Sequence, residues 1–302
     1  MRVTDQMLVD STLQNLWANE ARIQTYENEL TTGKKLSQIS DNPQDGARAL
    51  TIRSSIAQND QYLRNVDAGK AWLNATDDAL NGVDQALLRA QELAVQGAND
   101  TLSAADRQGM AEEVDSLLGE MVQFGNATYA GSYLFNGAQT TTAPFSYASG
   151  VVSYMNADPT AATRALQREI GPGTQIQVNT IGHDPTTNQA LFDVVFTALS
   201  NFKQSLLNSD TSAIQASIQE LQGAHQRLLD ARESVGARIN QVAALGTQLT
   251  NLQTRLAQTQ AGLEDADIVK AAMDYSQADV VRKAGLAAAS KSLPPSLFDY
   301  LT

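Results

Sequence analysis

From Ile214 to Leu263 an aliphatic residue returns at every seventh position: Ile214, Leu221, Leu228, Val235, Val242, Leu249, Leu256 and Leu263. A spacing of seven held this long keeps one stripe on one helix face, so it predicts a single long helix over 210–262 with a buried seam. The companion series Ile218, His225, Arg232, Ile239, Gly246, Gln253 and Gln260 is partly polar. The rod is therefore read as one member of a bundle.

The first half of the chain carries matching patterns. Val9, Leu16, Ile23 and Leu30, with Leu13, Trp17 and Tyr26 nearby, predict a first amphipathic helix that Gly33 ends. Asn42 and Pro43 restart helix, the amide as a cap and the proline at the first helical position, with Asp45 in the first turn. Leu73, Leu80, Leu87 and Ala94, beside Thr76, Val83, Ala90 and Gly97, extend that helix to about 97 as a two-series seam. Ser103 with Asp106 resembles a capping box, and Met110, Val114, Leu117, Met121 and Phe124 continue it as helix.

After Asn126 the period changes and glycine and proline punctuate short runs. Val151–Tyr154 and Gln175–Val178 read as strands, with a turn at Gly171–Gly173 joining the latter to Leu166–Ile170. Helix returns with Phe192, Val195, Leu199, Phe202 and Leu206. Gly262 interrupts the long rod, the carboxylates of Glu264, Asp265 and Asp267 suit a new helix start, and an Ala-rich helix runs from Ile268 to Leu293 before Pro294, Pro295 and an apolar end.

The expected fold is mainly α: a long antiparallel helical bundle or coiled coil formed by both termini, with a small β-rich inserted outer domain. The joints divide it into terminal arms over 1–42 and 263–302, a helical rod domain over 43–137 and 188–262, and an outer domain over 138–187. At 1.5 Å per residue the two arms have similar lengths of roughly 50 Å and the two rods of roughly 80 Å, as in a hairpin. Arms so poor in bulky apolar groups bury too little alone to offset roughly 1–2 kcal/mol of backbone entropy per residue, so neighbouring subunits are expected to order them. The residues that would carry that association are Val9, Leu13, Leu16, Ile23, Leu30, Leu263, Ile268, Tyr275, Val281, Leu286, Leu297, Phe298 and Leu301.

Charge and chemistry narrow the function by subtraction. With a net charge of −12 and no basic run longer than Lys34-Lys35, the chain lacks the clustered cations that neutralise phosphates, which argues against nucleic acid. No stretch approaches a membrane span, and the start lacks the apolar core of a cleaved signal peptide. Without cysteine there is no disulfide or thiol chemistry. The two histidines, His183 and His225, have no nucleophile or ligand at a functional spacing and are read as structural. Asn74, Asn99 and Asn126 each begin an Asn-x-Thr triplet, taken as chance. No cofactor, metal or enzyme motif is recognised, and a self-associating structural rod is the expectation.

Longer motifs then point to a family. Thr32-Gly33-Lys34-Lys35-Leu36 with Ser40-Asp41-Asn42-Pro43 resembles the block near the start of the flagellar hook-associated protein type 3 family, with Asn42 in place of a second aspartate. Asn126 to Gly137, including Tyr133 and Phe135, resembles the same family's entry into its outer domain, and Asp265 and Asp267 stand in an acidic motif shared with flagellin. The ending Ser296 to Leu301 is similar to that family too. This resemblance implies a junction subunit between hook and filament, exported unfolded without a cleaved signal. Its implied partners are further copies of itself, hook-associated protein type 1, flagellin and a cytoplasmic export chaperone. Flagellin itself, or a secreted coiled-coil adhesin or tether, is the alternative.

Overall fold

The structure is a computed structural model and describes residues 5–38, 40, 42–155 and 158–292. Seven helices and six short strands are found among them, in the mainly α arrangement expected. Helix α1 spans Asp5–Thr32, α2 Pro43–Gly97, α3 Ala104–Gly125, α5 Leu191–Leu207, α6 Thr211–Glu264 and α7 Ile268–Ser292, with a one-turn α4 at Pro159–Ala162. Two compact units result: one of residues 1–58 and 252–302, the other of 59–251.

In the unit of residues 59–251 the predicted seams are the core. Leu73, Leu80 and Leu87 of α2 and Ile214, Leu221, Leu228, Val235 and Val242 of α6 have no exposed surface. Burial of this kind contributes about 1.5–3 kcal/mol for each large aliphatic side chain. Helices α3 and α5 complete the layer, with Val114, Leu118 and Met121 of the one and Phe192, Val195, Leu199 and Phe202 of the other buried. Helix α3 starts as its sequence predicts: the Asp106 amide donates to Ser103 Oγ at 3.2 Å, and the Ser103 amide donates back to Asp106 Oδ2 at 3.0 Å.

The strands form three separate antiparallel pairs. The first, β1 (Thr128–Tyr129) with β2 (Ser132–Tyr133), lies ahead of the region in which strands were anticipated. The second joins β3 (Phe145–Ala148) to β4 (Val151–Tyr154), and the third joins β5 (Gln167–Gly171) to β6 (Thr174–Gln177). The first two turns each need two residues in the left-handed region, Ala130 and Gly131 (φ 50° and 78°), then Ser149 and Gly150 (φ 53° and 76°), which twists the chain as a two-residue hairpin requires.

An aromatic cluster holds the second pair against the helices. Phe145 meets Phe192 and Phe196 at ring separations of 5.2 and 5.1 Å, and Phe135 lies edge-on to Phe192 at 4.9 Å. Asn126 acts as a substitute strand, its Nδ2 donating to the Phe145 carbonyl at 2.8 Å while its Oδ1 accepts from the Phe145 amide at 3.0 Å. Tyr133 is half-buried in β2, and Gly137 takes a left-handed φ of 58°. Both histidines sit in structural pairs, His183 Nδ1 2.5 Å from Asp193 Oδ1 and His225 Nε2 2.8 Å from Asp84 Oδ1.

Candidate assembly surface on the paired terminal helices

In the unit of residues 1–58 and 252–302, α1 and α7 pack antiparallel. Asn19 Nδ2 donates to the Ala278 carbonyl at 2.9 Å, and Tyr275 Oη donates to Glu27 Oε1 at 3.3 Å. The seam is made of small residues on α7, Ala271, Ala278 and Gly285, against Leu16, Asn19 and Ile23 of α1. A Cβ on Gly285 would stand 3.2 Å from Leu16 Cδ1, so the missing side chain is what lets the helices approach.

The opposite face of α7 is apolar as well. Val269, Met273 and Val280 fall on one stripe half a turn away from Ala271 and Ala278, and they are 71%, 68% and 62% exposed. Ile268, Val281 and Leu286 flank that stripe and are exposed too. On α1, Trp17 is 67% exposed beside Leu13, away from the seam. A helix apolar on both sides is what a buried element looks like, and among the described residues only one side has a partner.

Of the residues expected to carry association, Leu13, Ile268, Val281 and Leu286 are exposed, Leu16, Leu30, Leu263 and Tyr275 are half-buried, and Ile23 is buried in the seam with α7. The Val9 side chain and Leu297, Phe298 and Leu301 lie outside the described residues. The sequence pattern predicts Trp17 only as part of an amphipathic helix and singles out none of Val269, Met273 and Val280. The signal for α7 was present: large aliphatics at positions 269, 273 and 280 alternate around the helix with alanines at 271 and 278.

The two joints are tied to each other. Glu264, 1% exposed, accepts from Arg53 Nε at 2.8 Å, Lys34 Nζ at 3.1 Å and Gln260 Nε2 at 3.2 Å. Its carbonyl takes the amides of Lys35 (2.8 Å) and Leu36 (3.3 Å), Lys35 Nζ donates to the Gly262 carbonyl at 2.8 Å, and the Ala266 amide donates to the Gly33 carbonyl at 2.9 Å. Lys34 and Asp265 face each other as an isolated antiparallel bridge. The Arg53 guanidinium, followed by Lys34 and Gln260, holds the Glu264 carboxyl down at about 2 against the cost of its burial.

Local sequence explains each part of this joint. Gly33, with a φ of 71°, ends α1, and Asn42 caps α2, whose first residue is Pro43, by accepting from the Asp45 amide at 3.2 Å. Ser40 is exposed in a turn, and Asp41 lies outside the described residues. Helix α6 runs through Gly262 to Glu264, where a break at the glycine was anticipated, since an isolated helical glycine costs only about 1 kcal/mol. Of the three carboxylates expected at the next helix start, Asp267 does that work, accepting from the Val269 and Lys270 amides at 3.1 Å each.

Long heptad helices, a paired set of terminal helices with an exposed apolar face, and an insert of small hairpins make up the described residues. Residues 3–140 match the family model for the bacterial flagellin N-terminal helical region, and the chain resembles the flagellin superfamily. Within it, the resemblance is to flagellar hook-associated protein 3. The Escherichia coli K12 protein of that name is 23% identical over 289 residues, spanning 88% of this chain and 89% of its own length. A flagellar hook-associated protein of Vibrio parahaemolyticus shares the fold at a TM-score of 0.63 and 20% identity, covering 74% of this chain and all of that one (100%). Bacillus cereus FlgL does so at a TM-score of 0.58 and 22% identity, covering 70% and 98%.

Proposed function

We propose that this chain is the structural subunit that joins hook to filament in a bacterial flagellum, exported unfolded and assembled outside the cell through its terminal helices. The observation that carries this is the second apolar face of α7, uncovered among the described residues. Burying about six large side chains of this kind is worth on the order of 10 kcal/mol gross. Association costs roughly 4–15 kcal/mol, so this face alone gives a marginal pair and further contacts between subunits are needed to hold a layer.

On this proposal the arms over 1–42 and 263–302 are the assembly elements, the rods over 43–137 and 188–262 carry the load, and 138–187 faces outward. Further copies of the chain, hook-associated protein type 1 below and flagellin above are the partners, and a cytoplasmic chaperone holds 263–301 before export. The role is structural, with no catalytic step. Among the described residues no group of three or more His, Cys, Asp or Glu is placed to hold a metal ion, and no helix is long and apolar enough to cross a membrane.

The test is a triple variant, Val269→Glu with Met273→Glu and Val280→Glu, mixed with hook stubs carrying hook-associated protein type 1. The expected outcome is an unchanged circular dichroism spectrum together with loss of stub decoration and of flagellin growth. Decoration equal to that of the parent chain would sink the assignment of this face.

A further inference from the structure

The α6 seam repeats itself so faithfully that apolar packing alone cannot set its axial position. Ile214, Leu221, Leu228, Val235 and Val242 are branched aliphatics seven residues apart, all fully buried, and a slide of one heptad replaces each with another of nearly the same shape. Something else must choose among registers about 10 Å apart.

The polar members of the flanking series do not slide so freely. Arg232 reaches Asp77 Oδ1 at 3.2 Å and Asp84 Oδ2 at 3.3 Å, and His225 meets Asp84 Oδ1 at 2.8 Å. The two acidic residues are seven apart on α2 and their partners seven apart on α6, antiparallel, so the four groups form one ladder. All four are half-buried, where an unmatched charge is expensive. Slid one heptad one way, Arg232 comes opposite Lys70 and Asp84 opposite Ile218. Slid the other way, Arg232 keeps Asp84, but Asp77 faces Ile239 and His225 faces Gln91.

A steric key lies on the same helix pair. A Cβ on Gly246 would stand 3.1 Å from Val66 Cγ1, so Val66 occupies the gap left by a glycine in the companion series. In either slid register Val66 would meet Ile239 or Gln253 instead, and overpacking of this kind is destabilising.

We propose that Asp77, Asp84, His225 and Arg232, backed by the Val66–Gly246 fit, are a register lock that selects one axial alignment of α2 and α6 from heptad-shifted alternatives. The polar interruptions of the seam are then specificity devices and not stabilising ones.

The test uses spin labels on the full chain, which has no cysteine of its own, at Gln85→Cys and Asn240→Cys, both exposed. These sites lie about 24 Å apart along the axis in the native register. Arg232→Asp sets like charges against Asp77 and Asp84 and favours the alignment that faces position 232 with Lys70. The dipolar distance should lengthen by about 10 Å. The fourfold Asp77→Leu, Asp84→Leu, His225→Leu and Arg232→Leu chain should fold and show two or more distances about 10 Å apart. If Arg232→Asp does not fold, the fourfold chain decides alone. A single parental distance in the folded variants overturns the proposal, whether melting temperature rises or falls.

Discussion

Glu264 is buried at the joint beside Arg53 and Lys34. Its carboxyl is held at about 2 in the folded chain against 4.5 for the free group, so the folded state favours the anion. That difference corresponds to at most about 3.4 kcal/mol. Arg53 and Lys34 are 50% and 45% exposed, so water screens much of the attraction and roughly 1–2 kcal/mol is the reasoned contribution. Because the folded value is depressed, the stabilisation is complete above the unfolded value and disappears as pH falls from about 4.5 towards about 2. Glu264→Gln removes the charge at every pH. The assay is amide hydrogen exchange at Lys35 and Leu36, whose N–H groups donate to the Glu264 carbonyl and report this joint locally. At neutral pH the substitution should lower their protection by a factor of roughly 5–30, and the gap between parent and variant should close near pH 2. A gap that is absent at neutral pH, or that persists unchanged in acid, would refute the ion-pair account.

Two further substitutions test how burial and capping scale along the rods. Leu228→Ala, at a fully buried position, should cost about 2–5 kcal/mol in urea unfolding, whereas Leu256→Ala, in the same heptad series but only half-buried, should cost less than half as much. Equal losses would mean that heptad position, and not observed burial, sets the energetics. Ser103→Ala should remove about 1 kcal/mol by breaking the capping box of α3, measured as a lower melting temperature that Ser103→Thr restores.

Much of this molecule could be read from the chain itself. Periodicity over 210–262 and 43–97 located both long helices, Ser103 with Asp106 located the start of α3, and Gly173 (φ 66°) turns the strand pair anticipated around it. These features are local: a repeat, a cap or a turn is set by residues within a few positions of one another.

What tertiary structure alone decided is which partners those elements meet. No spacing rule links Lys34 to Glu264, which are 230 residues apart, yet their contact ties the two joints. The half-polar companion series of α6 was visible, but its partners Asp77 and Asp84 were not, because a heptad names the face and leaves the axial alignment open. In α7 both faces are apolar, so pattern could not tell the covered face from the bare one. That distinction rests on α1 reaching only the small-residue side, at Ala271, Ala278 and Gly285, which leaves Val269, Met273 and Val280 in water.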